Sequence, residues 1–446
     1  MTLTPMFPPL RATLLALILA SPAAAAPLRV LAIGDSMTEE YAFELTFSAP
    51  ASNPTNANAR NWPELFRIFR ATEVSLGPYE STAASYLDLR NAGHEWNFGI
   101  PGTTLRNWVN LLTENPGADP LGPFYSITKS SLEDEILAVE AVVILLGAND
   151  LKQEYNDLFN NTEPAGYFSG MLDRLNTVYA WVNTSRGLNR PKIVVCTVPD
   201  VGATPQISGI YNVPARQATT RAKIAAFNQS ILTWAAGKTY PPSIARLDLL
   251  TDRIFDQVPF HLNGTEFALA GSQENPPLQV FCRDGFHVST VGQALIANEI
   301  MAALELATGR DLTPFSNRGI LRSLLGQNPD QPYLDWISAA GLGGSAMDKD
   351  PDGDGFPNLA EYLLDSPPGG FSHPLSGSFS PGNWLVWHPS PDALRFGTLT
   401  AEESADLTLW SPVPAGRTTV AADGTVSVTP AAGTRGFARL RAEPRP

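Results

Sequence analysis

Three short apolar runs constrain this chain more than any other feature. Leu28–Ile33 ends at Gly34, Ala141–Leu146 ends at Gly147, and Lys192–Val198 ends at Pro199. Runs this short, without polar alternation and closed by Gly or Pro, read as strands buried on both faces. A weaker fourth run covers Ala245–Leu249. Helical patterns lie between them at Trp62–Phe69, Phe168–Val182, Ala218–Ala236 and Val291–Leu306. Strands alternating with helices predict an α/β unit whose parallel sheet carries helices on both faces. Long polar or Gly/Pro-rich stretches fall at 44–61, 113–131, 153–166, 199–217 and 255–281. In such folds the loops at the carboxyl ends of the strands carry the site.

The α/β pattern fades near Gly309, which bounds the first unit at 27–309. Residues 310–332, with scattered Pro and Gly, read as a linker. An acidic loop marks 333–368 as a separate segment. From 369 to 446 short alternating runs recur at Trp384–Trp387, Leu407–Trp410 and Val426–Val428, with Asp423-Gly424 as a turn. That is the pattern of a small all-β module.

At the amino terminus, Arg11 precedes the apolar run Ala12–Ala20, and small residues follow through Ala26. A basic residue, a short apolar stretch and an A-x-A-like end predict a signal peptide over 1–26. The run is too short to span a bilayer, which needs about 20 apolar residues. The expectation is a chain that is secreted, periplasmic or at the cell surface, with no transmembrane segment in its mature form. Thirty basic against 44 acidic residues give a net charge of −14, which argues against a nucleic-acid partner. Two cysteines cannot form a four-Cys zinc site. Cys196 and Cys282 could pair in an oxidising compartment or remain two buried thiols.

Four small motifs follow strands or precede helices. Ser36, in Gly34-Asp35-Ser36, stands where a nucleophile is placed, although Ser also caps helices. Asp284 and His287, three residues apart, could supply an oriented base, or a cap beside a surface His. Asn149, in Gly147-Ala148-Asn149-Asp150, could aim an amide N–H at a developing oxyanion, or make a turn. Asn97–Thr104 (NFGIPGTT) contains Gly99 and Gly102, either of which could expose a backbone N–H without a side chain in the way, or the run could be a plain Gly-Pro turn.

Together and in this order the motifs resemble the SGNH hydrolase superfamily, the GDSL esterases and lipases, over roughly residues 28–308. The resemblance implies a flavodoxin-like three-layer α/β/α sandwich with a parallel sheet. It assigns Ser36 as nucleophile, His287 as base and Asp284 as its orienting partner. The oxyanion hole falls to the N–H groups of Ser36 and Gly102 and the amide of Asn149, with Gly99 the less favoured glycine. No cofactor is implied for catalysis. The expected activity is hydrolysis of carboxylic esters, short-chain ones first, with carbohydrate O-acetyl groups the leading substrate. A lipase, an acyltransferase and a carbohydrate-binding scaffold are the alternatives. The long polar segment before Asn61 departs from the usual pattern. Ten aromatics in the candidate loops (Tyr41, Phe43, Phe47, Trp62, Trp108, Phe124, Tyr125, Tyr155, Phe159 and Phe260) could stack on sugars or line an acyl pocket, or fill the core.

Asp350–Glu361 reads DPDGDGFPNLAE. An EF-hand-type loop takes ligands from positions 1, 3, 5, 7, 9 and 12, with Gly at 6. Here these are Asp350, Asp352, Asp354, the Phe356 carbonyl, Asn358 and Glu361, with Gly355 at position 6. The run resembles EF-hand and dockerin-like loops, and structural Ca2+ is the expected ion. Pro357 at position 8 removes the N–H that would pair with a second loop.

Overall fold

The structure is a computed structural model. It describes residues 26–446 except 83–85, 118, 257–258, 376–377, 379–381 and 432–435. The proposed signal run, apart from Ala26, lies outside the described residues.

The central strand β1 (Leu28–Gly34) is buried at every position but Arg29. It pairs in parallel with β2 (Val74–Ser75), with β3 (Asn97–Gly99) further along, and with β4 (Ala141–Leu145) on its other side. β5 (Lys192–Cys196) and β6 (Ser243–Ala245) extend the sheet, also in parallel. The order is β2-β1-β4-β5-β6, with β3 beside β1. Setting aside short β3, this is the 2-1-3-4-5 order of flavodoxin-like sheets.

Side chains alternate across the strands, so each face has its own core. On one face Leu31, Ile33, Val142, Ile144, Ile193 and Val195 are buried. They meet α2 (Leu105–Thr113), α5 (Tyr167–Thr184) and α6 (Pro214–Ala236) through residues such as Trp108, Leu175 and Phe227. On the other, Val30, Ala32, Val143 and Val194 meet α1 (Trp62–Phe69) and α7 (Thr290–Thr308). Helix α3 (Tyr125–Glu135) adds Leu132 to the first face, and short α4 (Ala148–Gln153) follows β4. Among the described residues no helix is long and apolar enough to cross a membrane.

The expected strand at Ala245–Leu249 ends at Ala245, and a helix over Leu247–Asp256 takes its place. Thr197 Oγ1 accepts the Asp248 N–H at 3.0 Å, so an early helical N–H is satisfied from β5's end rather than by a ladder. The stretch 310–332 is packed. Leu312, Phe315, Ile320 and Leu321 enter the core beside α7, and Asn298 grips Phe315 through both its N–H and its carbonyl.

The remainder is built on α8 (Gln331–Ala339), α9 (Asn358–Leu364) and two three-stranded antiparallel sheets. The first contains β7 (Leu385–Trp387); the second is centred on β8 (Gly397–Ser404), flanked by β9 (Ser411–Pro412). β10 (Thr418–Val420) and β11 (Val426–Val428) complete the first, and β12 (Phe437–Pro444) the second. Tyr333, Ile337, Leu359 and Leu363 share a core with Ala393 and Phe396, so 333–368 and 369–446 pack as one body. The expected strand at Leu407–Trp410 is a loop with Leu407 at φ +68°. Asp406 Oδ1 accepts the N–H groups of Thr408 and Leu409, a local turn that competes with strand pairing.

Candidate active site

β1 delivers the chain to Gly34, where a Cβ would sit 2.1 Å from Thr38 Oγ1. The backbone therefore turns back on itself at once. Asp35 drives the turn: its Oδ1 accepts the Met37 N–H at 2.9 Å and its carbonyl accepts from Thr38 and Glu39. Ser36 is not the cap of this turn; its hydroxyl is free to face away from it. Ser36 Oγ lies 2.8 Å from His287 Nε2.

His287 sits on the turn before α7. Its Nδ1 lies 2.6 Å from Asp284 Oδ2, and Asp284 Oδ1 accepts the N–H groups of Phe286 and His287. Burial pushes the Asp284 carboxyl up, but the His287 contact and these N–H groups outweigh it and hold it below the usual carboxylate range. Asp284 thus stays ionised beside the imidazole. It directs the proton on Nδ1 toward itself and leaves Nε2 to accept from Ser36.

β3 lies beside the end of β1, and its two glycines have different tasks. A Cβ on Gly99 would lie 2.2 Å from Glu39 N, so only glycine lets the Ser36 turn approach this closely. The Gly99 N–H is committed to Asn97 Oδ1 at 3.0 Å, and Asn97 Nδ2 donates to Thr38 O at 2.8 Å. Gly102 has φ +72° and faces open space. Among the described residues, neither its N–H nor that of Ser36 has a hydrogen-bond partner.

Two residues past the end of β4, Gly147 at φ +115° caps α4 and so places Asn149. Asn149 Nδ2 donates to Thr103 O at 3.1 Å and reaches Asp35 Oδ2 at 3.4 Å. Its neighbour Asp150 turns away to accept the Leu105 N–H at 2.9 Å, capping α2. Ser36, Gly102, Asn149, Asp284 and His287, separated widely in sequence, thus converge at the carboxyl end of the sheet.

Sequence reasoning missed what surrounds the imidazole. The Phe47 ring stacks on His287 at 3.7 Å between centroids and 5° between planes. Tyr41 and Phe286 approach edge-on. Phe47 belongs to the long polar segment 44–61, which is stapled to the strand-end loop before Asp284. Asn275 Nδ2 donates to the carbonyls of Phe47 and Ser48, and Arg283 to those of Thr46 and Leu45. No local pattern marks this clamp, because its two halves lie more than 220 residues apart. Of the roles left open for the loop aromatics, core filling holds for most. Of the ten aromatics, only Phe43 and Phe124 are not buried. Cys196 and Cys282 are free, buried thiols in different cores.

An apolar cavity of about 80 Å³ adjoins the site. Its lining includes Met37, Ala148, Phe286 and Val288, the sequence neighbours of Ser36, Asn149 and His287. Ile254, Phe260, Phe281 and Ile296 form part of the rest.

Residues 30–300 match the family GDSL-like Lipase/Acylhydrolase. No curated protein matches the chain in sequence. Among solved structures, it is similar to LAE5, an alpha/beta hydrolase enzyme from the metagenome of Lake Arreo, Spain. That similarity has 16% identity and a TM-score of 0.33, covering 63% of this chain and 95% of that one. It is also similar to Axe2, an acetylxylan esterase from Geobacillus stearothermophilus, at 12% identity and a TM-score of 0.30, covering 63% and 95%.

The two glycines should respond differently to a methyl group. Gly99→Ala must push apart two backbones and should lower stability by about 1–3 kcal/mol. Gly102→Ala meets no atom and pays only for its positive φ, about 1 kcal/mol. Denaturant melts of the two variants check this; equal losses would contradict it.

Burial raises the Asp35 carboxyl to about 6 from an ordinary 3.8, against the pull of the Met37 N–H and of His287. The folded chain therefore favours the protonated form more than the unfolded chain does. The resulting stability is present below 3.8 and lost as pH rises to about 6, roughly 3 kcal/mol in all. Thermal melts across that window should fall less steeply with pH in Asp35→Asn than in the wild type. Parallel curves would show that Asp35 titrates normally.

Proposed function

The chain belongs to the GDSL-like lipase/acylhydrolase family and is an ester hydrolase, and we propose that it is an exported serine esterase acting on short-chain acyl esters through an acyl-enzyme on Ser36. The observation that carries this reading is the hydrogen-bonded line from Ser36 Oγ through His287 to Asp284.

Ser36 Oγ attacks the ester carbonyl carbon as its proton passes to His287 Nε2. Asp284 supports the imidazolium that forms. The carbonyl oxygen, now negative, is received by the N–H groups of Ser36 and Gly102 and by Asn149. The Asn149 N–H directed at Asp35 makes the longer of that amide's two hydrogen bonds, so it is the one exchanged for the oxyanion. Collapse of the intermediate breaks the ester C–O bond, and His287 gives its proton to the departing alkoxide. Water then takes the place of Ser36 and releases the acid. No metal or organic cofactor enters these steps.

The acyl group is assigned to the apolar cavity beside Met37 and Phe286. The cavity is small, about 80 Å³, and this reading places a short acyl chain in it. The alcohol side faces the open strand-end surface, which suits a bulky acetylated carbohydrate. Export rests on the basic residue, apolar run and small-residue end of the first 26 residues.

Kinetics on nitrophenyl esters of graded chain length test the assignment. The wild type should prefer two- to four-carbon acyl groups, and Ser36→Ala should lose roughly 10³-fold or more in kcat. Near-full activity in Ser36→Ala would overturn the mechanism, and a preference for long chains would overturn the acyl assignment.

A further inference from the structure

Asp350, Asp352 and Asp354 bring carboxylate oxygens within 4.8 Å of one another. Backbone N–H groups satisfy part of this set: Gly353 and Gly355 donate to Asp350, and Phe356 to Asp354. Asp352 Oδ2 is buried and receives no donor.

A second observation is independent of the cluster. Glu361, in the first turn of α9, is 0% exposed, and neither of its oxygens has a hydrogen-bond partner. The charges of Asp352, Asp354 and Asp350 bear directly on it. Asn358 is equally buried. Its Nδ2 donates to Ser345 Oγ and Ala346 O, which leaves Oδ1 without a donor. Four buried acceptor oxygens without donors, beside mutually repelling carboxylates, carry a large desolvation cost. A cation removes both the repulsion and the deficit. The donors are all hard oxygens, with no nitrogen or sulfur among them, and carboxylates, amide and carbonyl suit calcium.

We propose that Asp350, Asp352, Asp354, Asn358 and Glu361, with the Phe356 carbonyl, bind one calcium ion that locks α9 to the acidic loop. The lock is structural. α9 buries Leu359 and Leu363 against Tyr333, Ile337 and Phe396 on one side. It buries Ala360 and Leu364 against Leu385, Trp387 and Val428 on the other. Asp354 Oδ2 also holds the N–H and hydroxyl of Ser372, on the chain leading to β7. The ion therefore sits where both halves of the carboxyl-terminal body meet.

Calorimetric titration of the full chain, after chelator treatment, tests this with calcium itself. One ion should bind per chain, in the range of about 10⁻⁴–10⁻³ M expected of extracellular sites. Binding should weaken at least tenfold in Glu361→Gln and in Asp352→Asn, the second serving if the first fails to fold. Calcium should also protect the carboxyl-terminal body from protease while leaving turnover of a small soluble ester unchanged. Absence of binding to the folded wild type at about 10 mM calcium would overturn the proposal. Wild-type affinity in both variants, or equal affinity for magnesium, would overturn it too.

Discussion

The hydrogen bond from Ser36 Oγ to His287 Nε2 joins residues 251 positions apart, and the surrounding structure is arranged to hold its two ends in place. On the serine side, Gly34 and Gly99 are the constraint. Without side chains there, β1 can turn immediately and β3 can lie against the turn, with Asn97 bonded to the Thr38 carbonyl. On the histidine side, Asp284 fixes both the backbone of its own turn and the far nitrogen of the ring. Each end is thus held by its own hydrogen bonds and close contacts, the arrangement that preorganised catalysis requires.

The imidazole is further confined by a device built from the long polar segment 44–61. Phe47 covers one face of the ring, and Asn275 and Arg283 pin the backbone that carries Phe47. Arg283 immediately precedes Asp284, so the clamp and the turn that carries His287 are one continuous piece of chain. Water loses access to one face of the ring, which leaves the imidazole fewer competing partners than an open site would.

The sheet and its principal helices are legible in the sequence because they depend on local patterns. β1, β4 and β5 are uninterrupted apolar runs, and α1 begins at Trp62 behind an Asn61–Glu64 capping box. The strand-end motifs are legible because glycine and asparagine mark tight turns. What is not legible depends on partners far away in the chain. Residues 247–249, expected in a strand over Ala245–Leu249, open the helix Leu247–Asp256 instead because Thr197 receives the Asp248 N–H. Leu407–Trp410 carries strand-like residues but yields to the Asp406 turn. Phe47 looks like any aromatic in a polar stretch until residue 275 is beside it. Of the loop aromatics whose role the sequence left open, most fill the cores on either side of the sheet, where their large apolar area contributes most.

None of Ser36, Gly102, Asn149, Asp284 and His287 belongs to the carboxyl-terminal body, so the catalytic account stands on Ser36 and its partners alone. Its most direct test is to react the folded protein with a fluorophosphonate and map the modified peptide by mass spectrometry. The account predicts one adduct, on Ser36, and loss of that adduct when His287 is replaced by alanine. Unmodified Ser36 in the folded wild type, or labelling that persists undiminished without His287, would contradict it.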